Sequence, residues 1–284
     1  MIKLESLSSS KVLYTKGEIT ETLGSTVSSN STVYRAPSFD EVTLTTGGSL
    51  AKRVYANGTI QVANYFDERT LNSIPTDGLR SYLNMTNYPG SGTNWPDASG
   101  LNNDATLVSP SYYAGPPAYF DFTSSNYANM GYILNRNAYT KCVVFYVNNF
   151  GYNNNLISGS NTNLHAFWLG GTHYLQAGHN GDTGGNWSTV IGSTFLNQNQ
   201  WYFGAVTYSH TTGWKIYLNG VEDGSSASTL NFSGDDDPAL CQLAAYQSGN
   251  NFVGRIPLAM VYNRSLSDVE IAGIFNTIRG TYGI

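Results

Sequence analysis

Charge is scarce in this chain of 284 residues: Asp, Glu, Lys and Arg together make up 12%, and the net charge is −5. Binding to nucleic acid or an anionic membrane needs clustered Lys and Arg to neutralise phosphates, so the sequence offers no footprint for either partner. Cysteine is rarer still, with two residues, Cys142 and Cys241, each in an apolar strand-like run. Two buried free thiols or a single bridge both fit that placement, because sequence does not fix their separation. No apolar run approaches the length of a membrane-spanning helix. The opening MIKLESLSSSK lacks the apolar centre of an export signal, so the chain is expected to be made and assembled in a cytoplasm, or exported by an unusual route. Familiar catalytic signatures are missing as well. There is no Gly-X-Ser-X-Gly, no P-loop and no Cys-X-X-Cys, and His165, His173, His179 and His210 have no metal-ligand spacing.

What is abundant points to strands. Thirty glycines and 21 tyrosines accompany many Asn, Ser and Thr residues, a composition that suits β-strands joined by polar turns. Lys141–Val147 (KCVVFYV) is a near-continuous apolar run bounded by the Asn-rich loop Asn148–Asn155, as expected of a sandwich-core strand. Ala166–Leu169, Tyr174–Ala177, Trp201–Tyr208, Trp214–Leu218 and Leu240–Tyr246 read as further strands. The Asn219-Gly220 pair is a hairpin-turn dipeptide. Trp201 and Trp214 fit core positions by alternation. Many short strands with turn signals between them predict an all-β sandwich or jelly roll.

Residues 1–75 differ in character. They are rich in Ser and Thr, with short strand-like pieces at Lys11–Tyr14, Glu41–Thr46 and Thr59–Tyr65, and little apolar mass. So small a core is marginal by itself. The segment is expected to be a β-rich arm or docking module, or else an extension folded onto the main domain. The turn chemistry of Ile74-Pro75-Thr76-Asp77-Gly78 marks the boundary, leaving 76–284 as the principal domain.

The C-terminus carries one well-marked helix. Ser267 and Glu270 form a capping box, Leu266 and Ile271 occupy the staple positions, and Ile271, Ile274, Phe275 and Ile278 recur at helical spacing. Gly280 is the expected C-terminal cap. Upstream, Ile256, Leu258, Met260 and Tyr262 alternate with Pro257, Ala259 and Val261, the period of a strand with one face toward a core.

From about Gly78 onward the chain resembles the concanavalin A-like, laminin-G-type jelly-roll domains. The residues that carry the likeness are Trp201, the hairpin after Tyr208, Tyr217, Asn219-Gly220, Gly254, Tyr262, Asn263-Arg264, Leu266 and Glu270, with GTNWPDASGLNNDATLV and YFDF upstream. That resemblance implies two stacked antiparallel sheets and binding of glycans or proteins, often with calcium; some members are enzymes. The ending FNTIRGTYGI is similar to laminin-G-like domains in structural proteins of tailed bacteriophages.

Candidate chemistry is sparse. Glycoside hydrolysis needs two carboxyl groups facing one another across a cleft, and no strand presents acidic residues at alternating positions. Polar aromatic stretches hold sugars by ring stacking and by Asn or Asp hydrogen bonds. HYLQAGHNGDTGGNWS offers Tyr174, His179, Asn180, Asp182, Asn186 and Trp187 as a candidate glycan site, although Trp187 equally suits the start of a core strand. Asp235, Asp236, Asp237 and Asn250 are candidate calcium ligands, a solvated acidic loop being the plainer reading; Asp97 reads as a ligand or an Asx turn. No other cofactor is called for. The functional expectation is a non-enzymatic virion structural protein, decorating a capsid or adhering to a host. Its jelly roll would face outward with an affinity for glycans, and 1–75 would dock to other virion subunits in a multi-copy assembly. A cellular carbohydrate-binding lectin is the alternative and a polysaccharide-degrading hydrolase or lyase the third.

Overall fold

The computed structural model describes six short strands within residues 1–72 and, from 73 to 284, everything except 136, 152–153, 160–164, 181–186 and 230–238. The chain divides into two compact units, Met1–Ser73 and Ile74–Ile284. In the first, β1 (Ile2–Lys3) pairs antiparallel with β2 (Lys11–Thr15), which runs parallel to β3 (Thr32–Arg35). β4 (Val42–Thr43), β5 (Lys52–Val54) and β6 (Ile60–Val62) form an antiparallel meander.

The second unit is an antiparallel sandwich. Its first layer contains β7 (Leu79–Asn84), β10 (Ser111–Tyr113), β11 (Tyr119–Phe122), β13 (Ala138–Val147), β19 (Trp201–Ser209), β20 (Gly213–Leu218), β21 (Val221–Ser226) and β23 (Gly254–Tyr262). The order is β10-β11-β23-β13-β19-β20-β21, with β7 also on the free edge of β23. Facing it are β8 (Asn94–Trp95), β9 (Ala105–Val108), β12 (Tyr127–Leu134), β15 (Ile157–Gly159) and β22 (Ala239–Leu243). β14 (Asn154–Asn155), β16 (His165–Leu169), β17 (Leu175–Asn180) and β18 (Trp187–Ile191) continue that second layer, joined to it where Leu156 N–H donates to the Phe167 carbonyl. This is the antiparallel jelly roll expected from the strand pattern.

β13 shows how sequence becomes architecture. Its Tyr139, Val143, Phe145 and Val147 enter the core between the layers, while Cys142 and Val144 point to the opposite face of the sheet. Both faces are covered, hence the uninterrupted apolar run. The cover on the outer face is α1 (Asp268–Tyr282), whose Ile271, Ile274 and Ile278 bury against Cys142, Val144, Phe203, Leu258 and Met260. Each such isoleucine contributes roughly 1.5–3 kcal/mol when fully buried. The capping box forms as the sequence predicts, and Arg264 reinforces it by donating from both terminal nitrogens to Glu270. The stop differs from expectation. Gly280 lies inside the helix, and Gly283, at φ 68°, takes the left-handed cap. The extra turn carries Tyr282 onto Trp201, and that contact offsets the roughly 1 kcal/mol disadvantage of a mid-helix glycine.

Three further sequence readings resolve. Cys142 and Cys241 are buried free thiols belonging to different core clusters. Asn219 (φ 48°) and Gly220 (φ 80°) both adopt the left-handed backbone of a type I′ hairpin turn. Asp97 is a loop clamp: Oδ1 accepts from the backbone N–H of Tyr82 and Ser99, and Oδ2 from Asn103 N–H and the Ser99 hydroxyl, consuming its lone pairs within the protein.

Candidate functional site

Part of the outer face of the first layer lies under α1. Beyond it runs a row of cross-strand neighbours, Ser111, Asp121, Arg255, Tyr146 and Trp201, contributed in turn by β10, β11, β23, β13 and β19. At ~4.8 Å between strands the row is about 19 Å long. Its one end is polar and its other end aromatic.

Strand parity alone would not put Arg255 there. Ala259 and Val261 face the inner core, and strict alternation would send Arg255 the same way. A register shift against β13, where Val144 pairs with Leu258 but Tyr146 with Arg255, inserts an extra residue at Pro257. Proline has no N–H to give to a ladder and is at home at such a bulge. The bulge turns Ile256 inward and Arg255 outward. On β11 the parity is regular: Phe120 and Phe122 enter the core, leaving Tyr119 and Asp121 on the outer face.

Around this row the rings pack into one patch. Tyr113, 52% exposed, stacks on Tyr119 at 4.7 Å between centroids. Trp201 meets Tyr146 edge-on at 5.3 Å and Tyr119 at 6.0 Å. Tyr282 of α1 closes the patch, 5.8 Å from Trp201. The Arg255 guanidinium lies 4.8 Å from the Tyr119 ring and 4.6 Å from the Tyr146 ring, in cation–π range of both. Burial raises the Asp121 carboxyl above the usual carboxylate range, and the positive charge of Arg255 opposes part of that rise. Beside the patch, and sharing Tyr282 as a wall, runs a groove of about 280 Å³ lined by Tyr82, Asn84, Pro117, Leu258 and Thr281. Rings that stack on sugar faces, a carboxylate that accepts from hydroxyls and a guanidinium that donates to them are the components of a saccharide-binding surface.

The residues singled out from sequence fall elsewhere. Tyr174 is half-buried with its ring edge-on to Phe195 at 6.0 Å. His179 corrects the expectation of a surface ligand, since it is completely buried. Its Nδ1 is hydrogen-bonded to the Tyr139 hydroxyl (3.1 Å), which accepts from Trp214 Nε1–H (3.3 Å), and burial holds the imidazole down at about 3. Alternation along β17 turns it into the core, as it does Ala177. Asn180 and Trp187 pair across β17 and β18, but their side chains, and all of Asp182 and Asn186, lie outside the described residues. So do Asp235, Asp236 and Asp237. Asn250 is exposed at φ 47°, and its carbonyl accepts from both the backbone and side-chain N–H groups of Asn155. Among the described residues no three His, Cys, Asp or Glu side chains gather as a metal site would require. Trp214 is a core residue, but Trp201 is not one of the inter-sheet core: it stands half-buried on the outer face, because residues 201, 203 and 205 share the helix-side parity. Sequence reasoning passed over Tyr119, Asp121, Tyr146 and Arg255. The alternation of YFDF was a usable signal for the first two.

Next to Tyr139 on the inner face of β13, Lys141 is also wholly buried. Its Nζ donates to the Ile157 carbonyl (3.1 Å) and stands 2.6 Å from His165 Nδ1, while His165 Nε2 is 3.3 Å from the Leu240 carbonyl. The tautomer with the proton on Nε2 satisfies both contacts, leaving Nδ1 to accept from the lysine. Burial pushes Lys141 down to about 7, with the neighbouring Cys241 thiol acting in the opposite direction.

Comparison with known proteins agrees with this architecture. Among solved structures, domain 4 of AbnA, a GH43 extracellular arabinanase from Geobacillus stearothermophilus solved with arabinotriose, superposes with a TM-score of 0.54 at 16% identity, covering 68% of this chain and 96% of that one. Trypanosoma rangeli sialidase gives 0.57 at 14% identity over 74% of this chain, which spans only 34% of the sialidase. The binding domain of Paraclostridial Mosquitocidal Protein 1 gives 0.55 at 17% identity, over 73% of this chain and 55% of that one. At such identities the likeness is one of fold. No curated protein matches the sequence. The laminin-G-type family described as the concanavalin A-like lectin/glucanases superfamily matches residues 119–272, more than half of the chain, and the protein belongs to that family.

Proposed function

We propose that the jelly roll is a non-catalytic glycan-binding module that presents the outer face of its first layer to a polysaccharide. The observation that carries this reading is the patch of Tyr113, Tyr119, Tyr146 and Trp201 gathered around Arg255 and Asp121, opening into the groove beside α1. The arabinotriose-bound arabinanase domain supports it by analogy of fold. Asp121 is the one carboxyl group in the row, whereas hydrolysis by the usual route takes a facing pair. Replacing Trp201 with Ala is expected to weaken binding of the best ligand from a glycan array by at least about tenfold. Isothermal titration calorimetry, with and without calcium, measures this; unchanged affinity in a variant with native melting behaviour would sink the assignment of the patch.

A finer reading places this module on a virus particle, as a capsid decoration or tail adhesin of the tailed-phage kind assembled in a host cytoplasm. The separate unit Met1–Ser73 favours it, serving as the part that docks to other virion subunits, together with the phage-like ending of the chain. The full chain is then expected to co-sediment with capsids or with tails purified from particles lacking it. Sedimentation with neither refutes the virion role and leaves a cellular lectin.

A further inference from the structure

Asp121 and Arg255 are direct cross-strand partners, a position from which opposite charges normally bond. Here they do not. The guanidinium instead lies against Tyr119 and Tyr146, and among the described residues neither side chain makes a hydrogen bond or an ion pair; Arg255 Nε is buried without an acceptor. Both groups are half-buried, so the surrounding rings exclude part of the water that would otherwise satisfy them. A carboxylate that only accepts and a guanidinium that only donates are therefore held side by side, with unused capacity, at the polar end of an aromatic row.

We propose that this pair reads two neighbouring hydroxyl groups of an uncharged sugar ring, so that the module is selective for neutral glycans. The inference rests on the glycan-binding reading above and narrows its ligand class. A hydroxyl group both donates and accepts, so a diol gives one proton to Asp121 and a lone pair to Arg255. A uronate or sialate satisfies Arg255 alone and sets a second negative charge beside Asp121. The rings of Tyr146 and Trp201, next along the row, stack on the adjoining sugar. The raised affinity of Asp121 for its proton adds that binding weakens as pH falls and the carboxylate loses its role as a pure acceptor.

The test is a glycan array of neutral and acidic oligosaccharides probed with the full chain. Titration of the strongest ligand follows, against the native protein and the isosteric variants Asp121→Asn and Arg255→Gln, each first checked for a native melting temperature. Oligogalacturonate compared with its methyl ester tests the charge on a single backbone. The expected result is preference for neutral glycans and a loss of roughly 10- to 100-fold in each variant, the scale of a hydrogen bond to a charged group. Preference for acidic glycans, with Asp121→Asn strengthening binding and only Arg255→Gln weakening it, overturns the proposal while leaving a glycan module. Neutral binding indifferent to both variants also overturns it. Absence of any glycan binding removes the glycan reading itself.

Discussion

Lys141→Met is expected to flatten a pH dependence that the native chain shows between pH 7 and 9. Burial lowers the pKa of Lys141 from its ordinary 10.5 to about 7 in the folded protein. Above pH 7 the unfolded chain therefore holds a proton that the folded chain has released, and stability rises with pH. The slope is at most ~1.4 kcal/mol per pH unit, giving a gain of roughly 2–3 kcal/mol by pH 9. Above that the sign reverses. Burial pushes Cys241 up to about 12, with Lys141 lowering it in part, and pushes Cys142 higher still. The unfolded thiols ionise near their usual value of 9 while the folded ones cannot, so stability falls again. Urea unfolding at half-unit steps from pH 6 to 10 should show a maximum near pH 9 in the native chain and no rise toward it in the variant. Equal slopes in the two proteins would refute this account. Acid behaviour is governed by other groups and should persist in the variant, reduced by the part that the charge of Lys141 contributes. His179, held at about 3 by burial and then by the charge of Lys141, contributes stability that is lost as pH falls from about 6.5 toward 3.

Ile274→Ala should lower stability by roughly 2–5 kcal/mol, the range for emptying a buried isoleucine site. Ile274 is completely buried at the centre of the face by which α1 covers the sheet, between Ile271 and Ile278. For a unit of this size that is a fall in melting temperature of about 5–15 °C. Ile274→Val should cost only ~0.5–1.5 kcal/mol, so the series grades with lost volume. The consequence extends to the site, because the last turn of α1 delivers Tyr282 to Trp201 and to the wall of the groove. Differential scanning calorimetry measures the first effect, and glycan titration well below the melting temperature measures the second. A shift under about 2 °C for the alanine variant would mean that the helix is not an integral cover of the sheet.

Much of the architecture was legible because it depends on local rules. The capping box of Ser267 and Glu270, the Asn219-Gly220 turn and the apolar run of β13 each follow from chemistry within a few residues of chain. The proposed glycan site was not legible. The polar stretch around His179 looked like a surface because its composition is polar, but alternation along β17 turns that histidine inward to Tyr139 and Trp214. Trp201 looked like core because it is large and lies on a strand, although the face it occupies is only partly covered.

What the sequence determined by itself is the set of strands, their turns, the capped helix and the family, since periodicity and turn residues act over short spans. Only the tertiary structure decided which residues meet. Asp121 and Arg255 are 134 positions apart and become neighbours through the pairing of β11 with β23. Arg255 faces outward only because the register shifts at Pro257, and in a strand a shift of one residue exchanges the two faces. Lys141 sits in an apolar run like any strand residue, and its depressed proton affinity arises from the second layer closing over it. A site assembled across five strands and a helix depends on register and burial, which are properties of the packed chain.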